Sequence, residues 1–342
     1  MVMTFTNMFM QRRYVMAEIN VIEAVRQAMY EEMIKDPEVF LIGEDVGKRG
    51  GVFLASEGFL ETFGSNRVID TPLAEDSIAG VSIGAAMRGM RPIAEMQFAD
   101  FIWPAVNQII GEAARVHYGT NGQLNIPLVI RSPYGGGVRG GLYHSQSPEA
   151  YFAHTPGLKV VCPATPYDAK GLLKSAIRDN DPVVFFEHKR TYRAVKGEVP
   201  DEEYFLPIGK GEIKRQGTHL SLITYGLMLH YCLEAAEIVA SDNIDIEVLD
   251  LRTLRPLDQE LIVSSVKKTG RAIVVHEDTK ALGVGAEVSA IIAEQAFDYL
   301  DAPVLRIAGP EVPAMPFATS LEDIFMPNTE GIVQTAKQLM DY

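Results

Sequence analysis

Six apolar runs of four to seven residues, at 39–43, 67–70, 92–98, 127–131, 158–162 and 182–186, punctuate the first half of the chain. They alternate poorly between apolar and polar residues, so each is expected to be a strand buried on both faces. Between them, at about 76–88, 103–118 and 167–179, apolar residues recur at helical spacing. Strands alternating with helices imply a parallel sheet wrapped on both faces, because parallel neighbours are joined only by a crossover. Ahead of the first strand, Asn20-Val-Ile-Glu23 forms a capping box, and a helix follows until Pro37 stops it.

A second alternating unit follows, with strands near 220–225, 245–250, 272–276 and 303–307 and helices near 228–241, 258–268 and 284–298. Between Glu187 and Gly211 the periodicity fails in a charged stretch holding Pro200 and Pro207. At 342 residues the chain is long enough for two cores. The fold class is therefore α/β, in two doubly wound domains. The organisation expected is a tail at 1–15, a first domain at 16–195, a linker at 196–204 and a second domain at 205–342. Arg12 and Arg13 follow the apolar part of the tail, the reverse of a secretory signal, so Met16 is an alternative start.

The net charge of −14 repels polyanions, which disfavours nucleic acid and anionic membrane surfaces as partners. No run of eighteen apolar residues offers a membrane span. Cys162 and Cys232 are too few for a disulfide framework and are expected to be small core residues. A cytoplasmic setting fits, with the mitochondrial matrix as the alternative raised by the arginine pair.

Ligands of such sheets bind beyond the carboxyl ends of the strands. Four segments lie there: Glu44-Asp45, Glu75, Gln97 to Phe101, and Tyr134 to Ser147. Together they bring carboxylates, an amide, the aromatic faces of Phe98 and Phe101, and the imidazole of His144, a mixture suited to a flat, nitrogen-rich heterocycle. Taken alone, Glu75 is either a catalytic acid or a partner of the helix dipole. Gly80 and Gly84 share a helix face, which either packs tightly inside the domain or admits a helix of a partner subunit. The glycines at 135, 136, 137, 140 and 141 lack the Gly-Lys-Ser/Thr ending of a phosphate loop, so a flexible lid is expected. Gly283-Val-Gly285 opens a helix after a strand, but valine stands at the third glycine of a dinucleotide fingerprint. His117, His154, His188 and His276 are expected to be structural.

The segments Leu41-Ile-Gly-Glu-Asp-Val46, Asp70-Thr-Pro-Leu-Ala-Glu75, Ala94-Glu-Met-Gln-Phe-Ala-Asp100, Leu142-Tyr-His-Ser-Gln-Ser-Pro-Glu149, Pro156-Gly-Leu-Lys-Val-Val161 and Asp250-Leu-Arg-Thr253 carry a resemblance. In order, and from about Met16 to the end, the chain resembles the beta subunits of thiamine-diphosphate-dependent 2-oxo acid dehydrogenases. The form Tyr143-His-Ser-Gln-Ser-Pro-Glu149 is similar to the branched-chain type.

The resemblance implies a pyrimidine-binding domain followed by a transketolase-type C-terminal domain. It implies thiamine diphosphate shared with an alpha subunit that holds Mg2+ and the diphosphate; the Gly-Asp-Gly motif that does so is missing from this sequence. The partners implied are the alpha subunit, in a two-alpha two-beta heterotetramer, a lipoyl acyltransferase core, and a 2-oxo acid substrate. By motif match Glu75 bonds the aminopyrimidine ring nitrogen and favours its imino tautomer. Gln97 and Phe101 line the pyrimidine pocket, Phe101 standing where the human branched-chain enzyme has a tyrosine. His144 matches the histidine credited with acyl transfer to the lipoyl group. A structural potassium ion is implied at the carbonyls of Ala176 and Asp179 beside Asp181, which replaces an asparagine. Pyruvate- and acetoin-type beta subunits, a noncatalytic scaffold and a nicotinamide-dependent oxidoreductase stand as alternatives.

Overall fold

The structure is a computed structural model and describes residues 16–342. The expectations for 1–15 lie outside the described residues. The first sheet has seven strands, in the spatial order Thr253–Arg255, Lys159–Val161, Val183–His188, Val129–Tyr134, Arg91–Glu95, Val39–Gly43, Val68–Asp70. All but Thr253–Arg255 run parallel. Val39–Gly43, Val129–Tyr134 and Val183–His188 are buried at every residue, including Arg131, Glu187 and His188 of the last two, as strands covered on both faces are.

On one face the helices Val21–Lys35 and Pro166–Arg178 pack over Leu41, Val129 and Phe185. The first of these helices opens with the capping box, in which Asn20 and Glu23 exchange two hydrogen bonds of 2.9 Å each. On the other face the helix Glu75–Met87 packs against the sheet through Ile78, Ala79 and Ile83. The 103–118 stretch is helical but irregular, passing through a tight turn at Trp103–Ala105 and wide π-helical turns over Asn107–Ala113 before Ala114–Gly119.

The second sheet runs Leu305–Gly309, Ala272–Thr279, Leu220–Thr224, Ile246–Asp250, Glu212–Arg215, with only the last antiparallel. The C-terminal helix Thr329–Met340 packs on it through Ile332, Ala336 and Leu339. Its own sequence signals, an Asn328 cap and this i, i+4, i+7 spacing, were open to reading. One apolar cluster continues across both domains, from Phe40, Ile78 and Met96 through Tyr134 and Phe152 to Ile223, Leu249 and Val288.

The charged connector differs from a free linker. Lys196–Pro200 is a strand, paired antiparallel with Met16–Asn20. Its acidic end is laced to the first domain: Glu203 meets Lys35 and Arg178, the latter at 2.9 Å. Tyr204 stacks on Tyr167 and donates to its carbonyl at 2.8 Å. Charges without periodicity read as loop, but Glu203 finds its partners in Lys35 and Arg178, more than twenty residues away.

Candidate active site

Because the strands are parallel, the segments after residues 43, 70, 95, 134 and 188 all emerge at one edge of the first sheet. Glu75 begins its helix there, half-buried, with no side-chain cap beneath it. Acids in the first turn are favoured by the helix dipole, so the position tolerates a negative charge. Asp70 fixes the approach by accepting the Gly47 amide at 2.6 Å and the Lys48 amide at 3.3 Å.

Glu44 lies beside Glu75. It is 3 % exposed, and neither carboxylate oxygen has a hydrogen-bond partner. The Ala74 amide opposes the rise without forming a hydrogen bond. Burial first, then the charges of Glu75 and Asp45, push the Glu44 carboxyl up from 4.5 to about 7. A folded-state pKa above the unfolded one contributes stability that is complete below about 4.5 and disappears as pH rises through about 7. Glu44→Gln is therefore expected to raise the urea midpoint at pH 8 and to change it little at pH 5. Equal shifts at both pH values would show that Glu44 does not carry this proton.

From Glu44 the site continues through Gln97, whose amide reaches the Glu44 carbonyl at 3.4 Å and Asp45 at 3.5 Å. Phe98 and Phe101 then meet the His144 ring edge-on, with centroids 4.6 and 5.3 Å away. All four sequence-selected groups, Glu75, Gln97, Phe101 and His144, are half-buried along this one edge. Phe53 closes the aromatic wall behind Phe98 at 5.6 Å. Two carboxylates, an amide and aromatic faces, with both Glu44 oxygens orphaned, fit the pyrimidine half of a thiamine cofactor.

Under the mouth, Arg131 bridges Glu95 at 2.6 Å and both oxygens of Glu187 at 2.6 and 2.7 Å. All three are buried in the sheet. Burial pushes Glu95 up against the pull of Arg131, while Glu187 and Glu95 together raise the Arg131 guanidinium despite its burial. Lys189, one residue past the Val183–His188 strand, is buried with an unpartnered ammonium 5.8 Å from the Phe98 ring. Burial lowers its pKa to about 8, with Asp100 and Glu277 opposing. No sequence spacing marks Lys189, because its surroundings come from three other segments.

Residues 17–195 match the transketolase pyrimidine-binding domain and 209–332 the transketolase C-terminal domain. The chain is 57% identical over 327 residues to the 2-oxoisovalerate dehydrogenase subunit beta of Bacillus subtilis, covering 96% of this chain and all of that one. The chain belongs to the beta subunits of the 2-oxo acid dehydrogenases. The pyruvate dehydrogenase E1 component subunits beta of Bacillus subtilis and Staphylococcus aureus are 48% and 45% identical, each over 96% of this chain and 100% of theirs. A solved split-gene transketolase, an inactive beta4 tetramer, shares the fold with a TM-score of 0.75 at 22% identity, covering 94% of this chain and 98% of that chain. Thiamine diphosphate dependence and an alpha-subunit partner go with this family.

In this beta subunit the glycine loop is neither an open phosphate nest nor a free lid. Gly136 donates to Glu277 at 2.5 Å, and Gly137 and Arg139 donate to Glu322 at 3.0 and 3.1 Å. Gly135 has φ +88, and a Cβ there would stand 2.1 Å from the His188 ring. Gly283 and Gly285 make room for a different ring: a Cβ on either would fall within 2.8 Å of buried His276. That packing explains the glycine pair without a dinucleotide. The helix glycines are open: a Cβ on Gly84 meets nothing within 4 Å, and one on Gly80 meets only Gln108.

The residues Ala176, Asp179 and Asp181 lie at the opposite, amino-terminal edge of the sheet. Lys159 places its ammonium 2.7 Å from both Asp179 oxygens and 3.0 Å from Asp181. The Asp179 carbonyl accepts from Arg91 at 3.0 Å, and the Ala176 carbonyl accepts the Asp179 amide at 3.2 Å. Burial pulls the Lys159 pKa down, and the two aspartates outweigh it and hold it above its ordinary value.

Proposed function

We propose that this chain is the beta subunit of a branched-chain 2-oxo acid dehydrogenase. With its alpha subunit it decarboxylates branched-chain 2-oxo acids oxidatively and delivers the acyl group to a lipoyl group. The observation that carries this reading is the 57% identity to the 2-oxoisovalerate subunit, against 48% to the pyruvate counterpart of the same organism.

Thiamine diphosphate, when bound, supplies the electron sink that loss of carbon dioxide requires. Glu75 holds a proton against the pyrimidine ring nitrogen, with Glu44 beside it as a second carboxyl. Gln97 offers its amide, and Phe98 and Phe101 form the apolar wall; Phe101 has no hydroxyl to offer. His144 would hold the proton that the departing lipoyl sulfur takes up as the acyl group is transferred. Mg2+ and the diphosphate fall to the alpha subunit: the glycine-loop amides at 136, 137 and 139 are already taken. Among the described residues, no group of three His, Cys, Asp or Glu side chains could hold a metal.

The assembly is a two-alpha two-beta heterotetramer in the cytoplasm, docking an acyltransferase core through the second domain. No helix among the described residues is long and apolar enough to cross a membrane. At Ala176, Asp179 and Asp181 the Lys159 ammonium takes the place of the potassium ion. Exchanging potassium for sodium is then expected to leave the melting temperature unchanged, whereas Lys159→Met lowers it and makes it respond to potassium. A potassium-specific rise in the parent protein would refute the internal cation.

Co-expression with the alpha subunit tests the substrate. Rates with 3-methyl-2-oxobutanoate are expected to exceed those with pyruvate by about tenfold or more, the discrimination that one or two methyl groups in a pocket allow. A preference for pyruvate or acetoin would move the chain to those relatives. His144→Ala is expected to slow acylation of a lipoyl domain by about 10²-fold or more, and to slow decarboxylation with an artificial electron acceptor far less. Equal losses would remove the transfer role.

A further inference from the structure

The loop 135–147, which carries His144, has three backbone donors, at Gly136, Gly137 and Arg139, accepted by carboxylates of the second domain. Glu277 and Glu322, 3 % and 1 % exposed, reach it from the end of a strand and from the helix Thr319–Phe325. Glu277 Oε1 accepts the Gly136 amide at 2.5 Å and the Ser147 hydroxyl at 2.9 Å, while its Oε2 meets His188 Nε2 at 2.7 Å. Since Arg190 donates its amide to His188 Nδ1 at 3.2 Å, the ring proton sits on Nε2 and points at Glu277. Burial pushes the Glu277 carboxyl up, and His188, Gly136 and Ser147 outweigh it, so it stays ionised below the ordinary range.

Glu322 Oε1 accepts the amides of Gly137 and Arg139. The Met315 amide donates to Gln146 Oε1 at 3.3 Å. Only the far side of the loop is held by the first domain, through Asp100, which accepts the Ser145 and Gln146 amides at 3.2 Å. A Cβ on Gly136 would stand 2.5 Å from the terminal methyl of Met315, so the second domain packs directly on the loop backbone here, and a larger residue would push that flexible side chain aside.

We propose that Glu277 and Glu322 are positioning residues: from the C-terminal domain they clamp both limbs of the loop and thereby fix His144 against Phe98 and Phe101. The inference rests on the reading of His144 as the acyl-transfer residue and adds what sets its geometry. Charge-assisted bonds from buried carboxylates are the strong kind, and their removal frees five polar groups at once: four loop donors and the His188 ring. Glu277→Gln keeps the shape but turns an amide NH2 toward the His188 Nε2 proton, so one donor faces another.

The test uses the alpha–beta holoenzyme with Glu277→Gln, Glu322→Gln and, as a variant that leaves the second domain intact, Ser147→Ala. Hydrogen exchange at Gly136 in the first variant, and at Gly137 and Arg139 in the second, is expected to rise about tenfold or more. A displacement of His144 by about 1 Å is expected to cut kcat for lipoyl-domain acylation by roughly 10²-fold, with KM for the lipoyl domain unchanged and decarboxylation reduced at least tenfold less. Ser147→Ala gives the same selectivity at smaller amplitude. Exchange at the parent rate, or both half-reactions falling in step, overturns the clamp. If His144→Ala acylates at the parent rate, the transfer reading fails, while the exchange measurement still decides whether these carboxylates hold the loop.

Discussion

Glu75→Gln is expected to cut decarboxylation by about 10²- to 10⁴-fold, the usual loss for a displaced proton-transfer group, while the complex with the alpha subunit assembles as before. The change is nearly isosteric. Glu75 makes no side-chain hydrogen bond to another described residue and sits half-buried at a helix start, so folding does not depend on its charge. An amide at this position presents either a fixed donor or a weak acceptor to the pyrimidine nitrogen, and neither can share a proton with it. The substitution also removes one of the charges that raise Glu44. Rates with an artificial acceptor, beside gel filtration of the complex, decide the matter. A variant that assembles and decarboxylates at the parent rate would return the chain to the role of a scaffold.

The second large effect is on stability. Arg131→Met should destabilise the chain by about 3–5 kcal/mol, because it leaves Glu95 and Glu187 buried without their counter-charge. Tyr192, which donates to Glu187 at 2.6 Å, cannot neutralise either. In the variant the Glu95 carboxyl, pushed up by burial, loses the opposing pull of Arg131, so its folded pKa stands further above the unfolded one and stability is kept at acid pH and lost as pH rises. Chemical denaturation at pH 5 and pH 8 should show the deficit widening toward pH 8. A loss under about 1 kcal/mol at pH 8 would mean that water or relaxation screens the pair. The triad matters to the site because Glu95 precedes Met96-Gln97 and Glu187 precedes His188-Lys189.

The strand at 39–43 and the apolar starts of those at 129–134 and 183–188 were legible because burial on both faces favours apolar residues, though buried Arg131, Glu187 and His188 interrupt the later two; the capping box at Asn20 was legible because it is local. The gathering of the candidate site residues at one edge was legible for a topological reason: in a parallel sheet, whatever follows a strand emerges at the same edge. Contacts made across long separations were not. Glu277 lies 141 residues from Gly136, and Lys159 lies 20 from Asp179, so no periodicity could pair them. One further misreading shares this cause. The glycines suggested a flexible lid, yet the loop is pinned by partners that only the folded chain brings near.

Thr253–Arg255, a piece of the second domain, completes the edge of the first sheet beside Lys159–Val161. The two halves are thus interleaved rather than beaded, and bending about the connector would tear a sheet. Severing the polypeptide near residue 207 would leave a raw strand edge on one fragment and its orphaned complement on the other, an invitation to aggregate. Any movement that serves the reaction must come from loops and from subunit against subunit, because this polypeptide has no hinge at its waist.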